Sequence, residues 1–192
     1  MERTIEAEPS YTPLIQKPMC CSSACVQMIM LRHGINPPLQ DEIAKETGVT
    51  ISKEKADCFM ESLVVLEKPY GIETATKKTE SKINTFFEKK GFPFKVKAFR
   101  VSEIEDHRIF IVDNLDEGND IHVEVCMKNI TGNENCHDMI LSKINLETNK
   151  VTLIDPWWTN KQYHDIDLRV LIDSMDKKWF NRELGFLIYY KR

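Results

Sequence analysis

The hydrophobic period of this chain changes near its middle, and that change restricts the folds open to it. Up to about residue 91 the patterns are helical. The run from Ser22 to about Arg32, S-S-A-C-V-Q-M-I-M-L-R, lacks glycine and proline and stops at His33-Gly34, where glycine suits a helix C-terminus. It predicts a mostly buried helix. Further helices are expected from about Leu39 to Glu46 before Gly48, and from Cys58 to Leu66 before Pro69 and Gly71. Another is expected from Glu80 to Lys90, where Ile83, Phe86 and Phe87 fall at helical spacing ahead of Gly91. Beyond Phe94 the period falls to two. Phe94 to Phe99 and Ile121 to Cys126 alternate, His137 to Ile144 and Val151 to Ile154 flank L-E-T-N-K, and Phe186 to Tyr190 reads as a last strand. Leu168 to Met175 is a late helix. Helices first and strands later predict an α+β protein, with N-terminal helices packed on a C-terminal antiparallel sheet.

Residues 1–15, punctuated by Pro9 and Pro13, read as an extended lead-in. No repeat, low-complexity segment or long linker divides the chain, so residues 1–192 are expected to form a single domain. Charge excludes one class of partner. The net charge is −4 with both signs interspersed, and Lys77-Lys78 and Lys89-Lys90 are too small for a nucleic-acid footprint. No stretch approaches the ~18–20 apolar residues of a membrane span. The opening M-E-R-T-I-E-A-E-P-S lacks the apolar core of a secretory signal, so a cytoplasmic, reducing location is expected. There the six cysteines should be mostly free thiols, and their spacing contains no C-x-x-C pair of the zinc-ribbon kind.

Chemistry gathers around Cys21. A thiol attacks a carbonyl as thiolate, and a helix start favours that anion through its unpaired N–H groups and dipole. Cys21 stands where the first helix should begin, with Ser22 and Ser23 as possible caps. Its own N–H can face an oxyanion, and Gln16, five residues earlier, can supply a second donor. Pro18 stiffens the loop between them. His137, at the mouth of a strand, is the best placed of the histidines to serve as base and partner cation. Asp155 ends the returning strand V-T-L-I-D-P-W-W, eighteen residues on. That even spacing across a hairpin predicts imidazole and carboxylate on one side, the carboxylate fixing the ring's tautomer. Trp157 or Trp158 could shield the pair. The catalytic set is therefore Cys21, His137, Asp155 and Gln16.

These residues resemble the papain-like cysteine peptidases. The likeness is nearest to the double-glycine-leader, bacteriocin-processing peptidases (family thirty-nine of that clan) and their stand-alone relatives. Those carry Gln, then Cys-Gly-x-Ala opening a helix, here C21-S-S-A-C with the helix ending at H33-G34. Later they carry His opening a strand and a strand ending Asp-Pro, here Asp155-Pro156. Glu117 to Val125 resembles the segment that enters their sheet before the histidine, and phytochelatin synthases share the layout. The likeness spans about residues 14 to 190. It implies a papain-like fold, a cysteine peptidase or acyl transferase whose Cys-His-Asp triad cleaves a peptide or isopeptide bond, a peptide or protein substrate, and no cofactor. The departures are Ser22 for the glycine after the nucleophile, Cys136 for the glycine before the histidine, Asp138 for an apolar residue after it, and a Gln-to-Cys spacing of five where six is usual.

Those departures keep open an alternative, a catalytically inactive papain-like domain that binds a peptide or protein partner. A thiol metal or redox module built on Cys20, Cys21 and Cys25 with His33 is a third reading. Cys25, Cys58 and Cys126 otherwise read as core. His122 alternates with Val123 and Val125 and is expected to face away from the core, His33 to meet the last carbonyls of its helix, and Asp138 to point to the strand face opposite His137. Trp157 and Trp158 read as core. His107 and His164 carry no argument. The sequence does not speak to the oligomeric state.

Overall fold

The computed structural model describes residues 3–68, 72–176 and 181–192, so the expected helix breakers Pro69 and Gly71 lie outside the described residues. In chain order the strands are β1 (Thr4–Glu6), β2 (Thr50–Ile51), β3 (Val64–Val65), β4 (Phe94–Arg100), β5 (Asp120–Cys126), β6 (Cys136–Asn145), β7 (Lys150–Ile154), β8 (Tyr163–Asp167) and β9 (Gly185–Lys191). The α-helices are α1 (Cys21–Arg32), α2 (Gln40–Thr47), α3 (Lys77–Lys90), α4 (His107–Asp116), α5 (Lys128–Thr131) and α6 (Leu168–Asp173). The architecture is a mixture of helices and antiparallel sheet.

Six strands run in the order β4-β9-β5-β6-β7-β8, every pair antiparallel, and β1 adds to β6 beyond the end of β5. The parallel pair β2 and β3 stands apart. One hydrophobic cluster joins α1 and α3 to the sheet through Met28, Ile29, Phe86, Phe87, Val96, Val123, Leu141 and Phe186. The edge strand β4 is covered by α3 side chains: Asn84 bonds both the N–H and the carbonyl of Val96, Glu80 accepts from Ala98 N, and Lys77 donates to Ala98 O. Polar groups thus satisfy an edge that would otherwise be open to another strand.

Caps explain the helix boundaries. Gly48 and Gly91 adopt the left-handed conformation at the ends of α2 and α3. Helix α3 begins before Glu80 because the Thr76 side chain accepts from Thr79 N at 3.2 Å. The sequence H-R-I-F-I-V-D-N-L-D of α4 has no helical stripe, and its only start signal is Asp106, whose carboxylate accepts from Ile109 N at 2.9 Å. Strand β8, Y-H-D-I-D, is too polar to announce itself.

The expected helix from Cys58 to Leu66 does not form. A 3-10 turn covers Lys53–Cys58, Met60 N is held by the Asp41 carboxylate at 2.7 Å, and the β-branched pair Val64–Val65 joins Thr50–Ile51 as a strand. Cys58 is exposed rather than core. The larger correction concerns β5, which is buried along its whole length. Its polar alternates Asp120, His122 and Glu124 do not face water. They lie on the side covered by α1, whose last turn reaches Asp120 through Arg32 at 2.7 Å and whose first residue reaches the neighbouring strand at Asp138. His122 is fully buried, and His33 turns its ring to Asp120 at 2.8 Å rather than to its own helix.

Candidate active site

Cys21 owes its position to the turn before it. Lys17 O accepts from Cys20 N at 3.0 Å, with Pro18 and Met19 between, and Met19 takes a positive φ of 62°. Proline at the first central position and a positive φ at the second are the marks of a tight reversing turn, usually with glycine where Met19 stands. The chain leaves this turn directly into α1. Cys20 is fully buried against Ala44, Val49 and Ile51, and burial pushes its thiol up to about 12. Cys21 points the other way, is half-buried and opens α1, whose first-turn N–H groups have no intrahelical acceptors.

The Cys21 thiol donates to Asp138 Oδ2 at 3.1 Å. Burial first, then the adjacent Asp138 charge, raises this thiol well above its ordinary value. The helix start therefore does not deliver a ready thiolate, contrary to expectation. Asp138 also accepts from His122 at 3.0 Å, and His122 meets the Tyr189 hydroxyl at 3.2 Å. Burial would raise the Asp138 carboxyl, but its hydrogen bonds, from His122 first and then from the thiol, hold it below the ordinary carboxylate range.

His137 and Asp155 form a second pair. His137 Nε2 lies 2.7 Å from Asp155 Oδ1, and both residues are nearly inaccessible. They meet for a reason that even spacing does not supply. Near the turn Asn145 pairs with Lys150 and Ile144 with Val151, a register that alone would set residues 137 and 155 on opposite faces. A bulge between Leu141 and Lys143 shifts the register by one, so that Leu141 pairs with Leu153 and Ile140 with Ile154. Continued outward, the shifted register puts His137 and Asp155 diagonally opposite on one face.

Asp155 is held on all sides. Oδ1 also accepts from Trp157 N at 2.7 Å, and Oδ2 accepts from Asn160 at 2.8 Å and meets His164 Nε2 at 3.1 Å. Burial opposes ionisation, but the hydrogen bonds from His137 and His164 outweigh it and drive the Asp155 carboxyl well below the carboxylate range. An anionic Asp155 requires His137 Nε2 to be the donor, which leaves Nδ1 as the basic nitrogen. The Trp157 ring stands edge-on to His137 at 6.4 Å between centroids, and a cavity of about 220 Å³ opens beside them, lined also by Asn133, Asn135 and Asn160. Trp158 is 69% exposed and is not core.

Gln16 is buried, and its backbone N–H donates to Pro156 O at 2.9 Å, tying the loop before Cys21 to the loop after Asp155. Its amide nitrogen reaches only Lys17 O, at 3.4 Å, and its amide oxygen is buried without a hydrogen bond. The side chain thus has much of its bonding capacity unused. Sequence reasoning missed His122 and His164, both buried beside acids. Their signal was present only as polar residues alternating with apolar ones. The metal reading fails on placement. Cys20 packs away from Cys21, and His33 lies a whole helix away, roughly 18 Å at 1.5 Å per residue. Among the described residues no group of three metal-ligating side chains converges, and no helix is long and apolar enough to cross a membrane.

No protein-family model matches the sequence, and no curated protein matches it. Among solved structures, that of a candidate C39-like peptidase from Bacillus anthracis superposes with a TM-score of 0.65 over 100% of this chain and 99% of that one, at 12% sequence identity. At such identity the likeness is one of fold. The chain shares the mixed helix and antiparallel-sheet fold of that structure.

Proposed function

We propose that this chain is a cysteine peptidase-like hydrolase of papain-like fold that cleaves a peptide or isopeptide bond through Cys21, His137 and Asp155. The observation that carries the reading is the buried 2.7 Å pair of His137 and Asp155, with Nδ1 of the imidazole left basic. At rest the Cys21 thiol lies on the Asp138 face of β6, and residues 137 and 138 of that strand point to opposite faces, so the reaction requires the sulfur to leave Asp138 and reach the His137 side. In the reaction His137 Nδ1 takes the Cys21 proton and the sulfur attacks the carbonyl carbon. The Cys21 N–H and the Gln16 amide stabilise the oxyanion. Collapse expels the amine, which takes its proton from His137, and water hydrolyses the thioester. Asp155 stabilises the imidazolium and does not itself take the proton. By resemblance, peptides with a double-glycine leader are the first substrates to try.

The test is cleavage of a mixed fluorogenic peptide library, with mass spectrometry of the acyl-enzyme. Cys21→Ala should abolish turnover and the adduct, Cys20→Ala should keep most of both, and Gln16→Ala should slow turnover by about 10²–10³-fold. An adduct on any other cysteine, or turnover that survives Cys21→Ala, refutes the assignment. The hydrogen bond from Cys21 to an acid favours a second reading, the inactive papain-like domain that holds a peptide or protein partner. Peptides that bind without being cleaved, with no acyl adduct, would establish it.

A further inference from the structure

The row of buried groups beneath Cys21 is not needed for acyl transfer, and its hydrogen bonds all run one way. The fully buried Tyr189 hydroxyl has, among the described residues, His122 Nδ1 as its hydrogen-bond partner at 3.2 Å. A buried hydroxyl that accepted there would leave its own proton unpaired, so Tyr189 donates and Nδ1 carries the lone pair. The proton of His122 is then on Nε2, which donates to Asp138 Oδ1 at 3.0 Å. Oδ2 takes the Cys21 S–H at 3.1 Å. Every donor in this row points toward Asp138.

We propose that Asp138, held by His122 and Tyr189, is a built-in latch that keeps the Cys21 thiol protonated on the sheet face opposite His137. The latch rests on the reading of Cys21 as the nucleophile. Asp138 is a positioning residue in it and takes no proton in the reaction.

The other ionisable groups around Asp138 do not undo this. Cys25, on the next turn of α1, is buried and itself raised well above its ordinary value, by burial first and then by Asp138. Glu124, directly across in the β5–β6 register, is occupied by Arg182 at 2.6 Å and by the N–H groups of Thr74 and Ala75. His137, the neighbour along β6, is committed to Asp155.

The isostere Asp138→Asn makes a sharp test, because it reverses the contact. His122 Nε2–H fixes the amide oxygen on its own side, which turns the NH₂ toward the sulfur. An acceptor of the S–H becomes a donor that favours thiolate. Iodoacetamide labelling of Cys21 at pH 6–7, mapped by mass spectrometry, should be at least about tenfold faster in Asp138→Asn than in the native chain, the change that one unit of thiol pKa gives. Equal or slower labelling in a variant that melts cooperatively overturns the latch. A second measurement does not need that variant to fold: the infrared difference between the native protein and Cys21→Ala at pH 7 should contain an S–H band at the lowered frequency of a hydrogen-bonded thiol. Its absence overturns the latch as well. Accelerated labelling without peptide cleavage would leave the latch standing and refute the peptidase reading. Cleavage by the native chain without acceleration would do the reverse.

Discussion

Replacing Asp155 by Asn keeps the shape of the site and removes one charge, so its cost can be worked from four contacts. Oδ1 must stay an acceptor, because the Trp157 backbone N–H at 2.7 Å cannot reverse and His137 shares that oxygen. The new NH₂ therefore faces Asn160 and His164, two groups that donate to Oδ2 in the native protein. Asn160 can turn its amide and His164 can move its proton to Nδ1, so neither clash is permanent. What is lost is the charge assistance to all four bonds. Hydrogen bonds to a charged group are worth about 1.5–3 kcal/mol against about 1 for neutral ones, while the relief of burying an anion works in the opposite direction. A net loss of about 2–4 kcal/mol is expected at pH 7. For a chain of this size that is a fall in melting temperature of roughly 4–16 °C.

The pH dependence carries the sign. The folded Asp155 carboxyl is depressed, so its contribution is present above the ordinary unfolded value of about 3.9 and is lost as pH falls toward the folded value. Urea unfolding, followed by tryptophan fluorescence and circular dichroism from pH 7 down to about pH 2, should show a gap between native and Asp155→Asn that is steady to about pH 5 and then narrows. A gap below about 0.5 kcal/mol at pH 7 would refute the four-contact account. A gap that stays undiminished in acid would show that the charge is not its source.

Two further variants probe the frame around the site. A Cβ at Gly185 would sit 2.1 Å from Phe99 O, a backbone atom that cannot swing aside, so Gly185→Ala should cost more than about 2 kcal/mol and speed amide exchange in residues 94–100, where β4 pairs with β9; unchanged exchange there would contradict it. Glu124→Gln should weaken the clasp on Arg182 and on the Thr74 and Ala75 amides, costing about 2 kcal/mol and raising exchange at those two amides, whereas protection at native levels would show that the clasp does not depend on charge.

The fold was legible where two independent signals agreed. Helices α2 and α3 have periodic apolar residues and a glycine in the left-handed conformation at the C-terminus, and both lie within a few residues of where sequence puts them. It was illegible where tertiary partners overrode local pattern. The segment 58–66 lacks a breaker among its residues, yet Asp41 and strand β2 claim it for extended structure. In helix α4 the apolar run Ile109 to Val112 masks the helical spacing of the buried Ile111, Asn114 and Leu115, and Ile109 is left exposed. Residues 137 and 155 do share a face, but only because of a bulge that no count of intervening residues reveals.

The alternating strand D-I-H-V-E-V-C shows how such an omission reaches the chemistry. With the polar set taken as outward, the environment of Cys21 reduces to a helix N-terminus, which favours an anion by about 0.3–1 kcal/mol. With the same set turned inward beneath α1, a carboxylate lies 3.1 Å from the sulfur, and its repulsion of a thiolate exceeds that small attraction, for two unit charges at such range interact by several kcal/mol even at an effective dielectric of about 20. The sign of the thiol's perturbation therefore depends on which face of β5 and β6 is covered. Arg32 and His33, at the C-terminal end of α1, bear on that matter from afar: both reach Asp120 and so tie the helix across the polar face at the end opposite Cys21, which rests on Asp138.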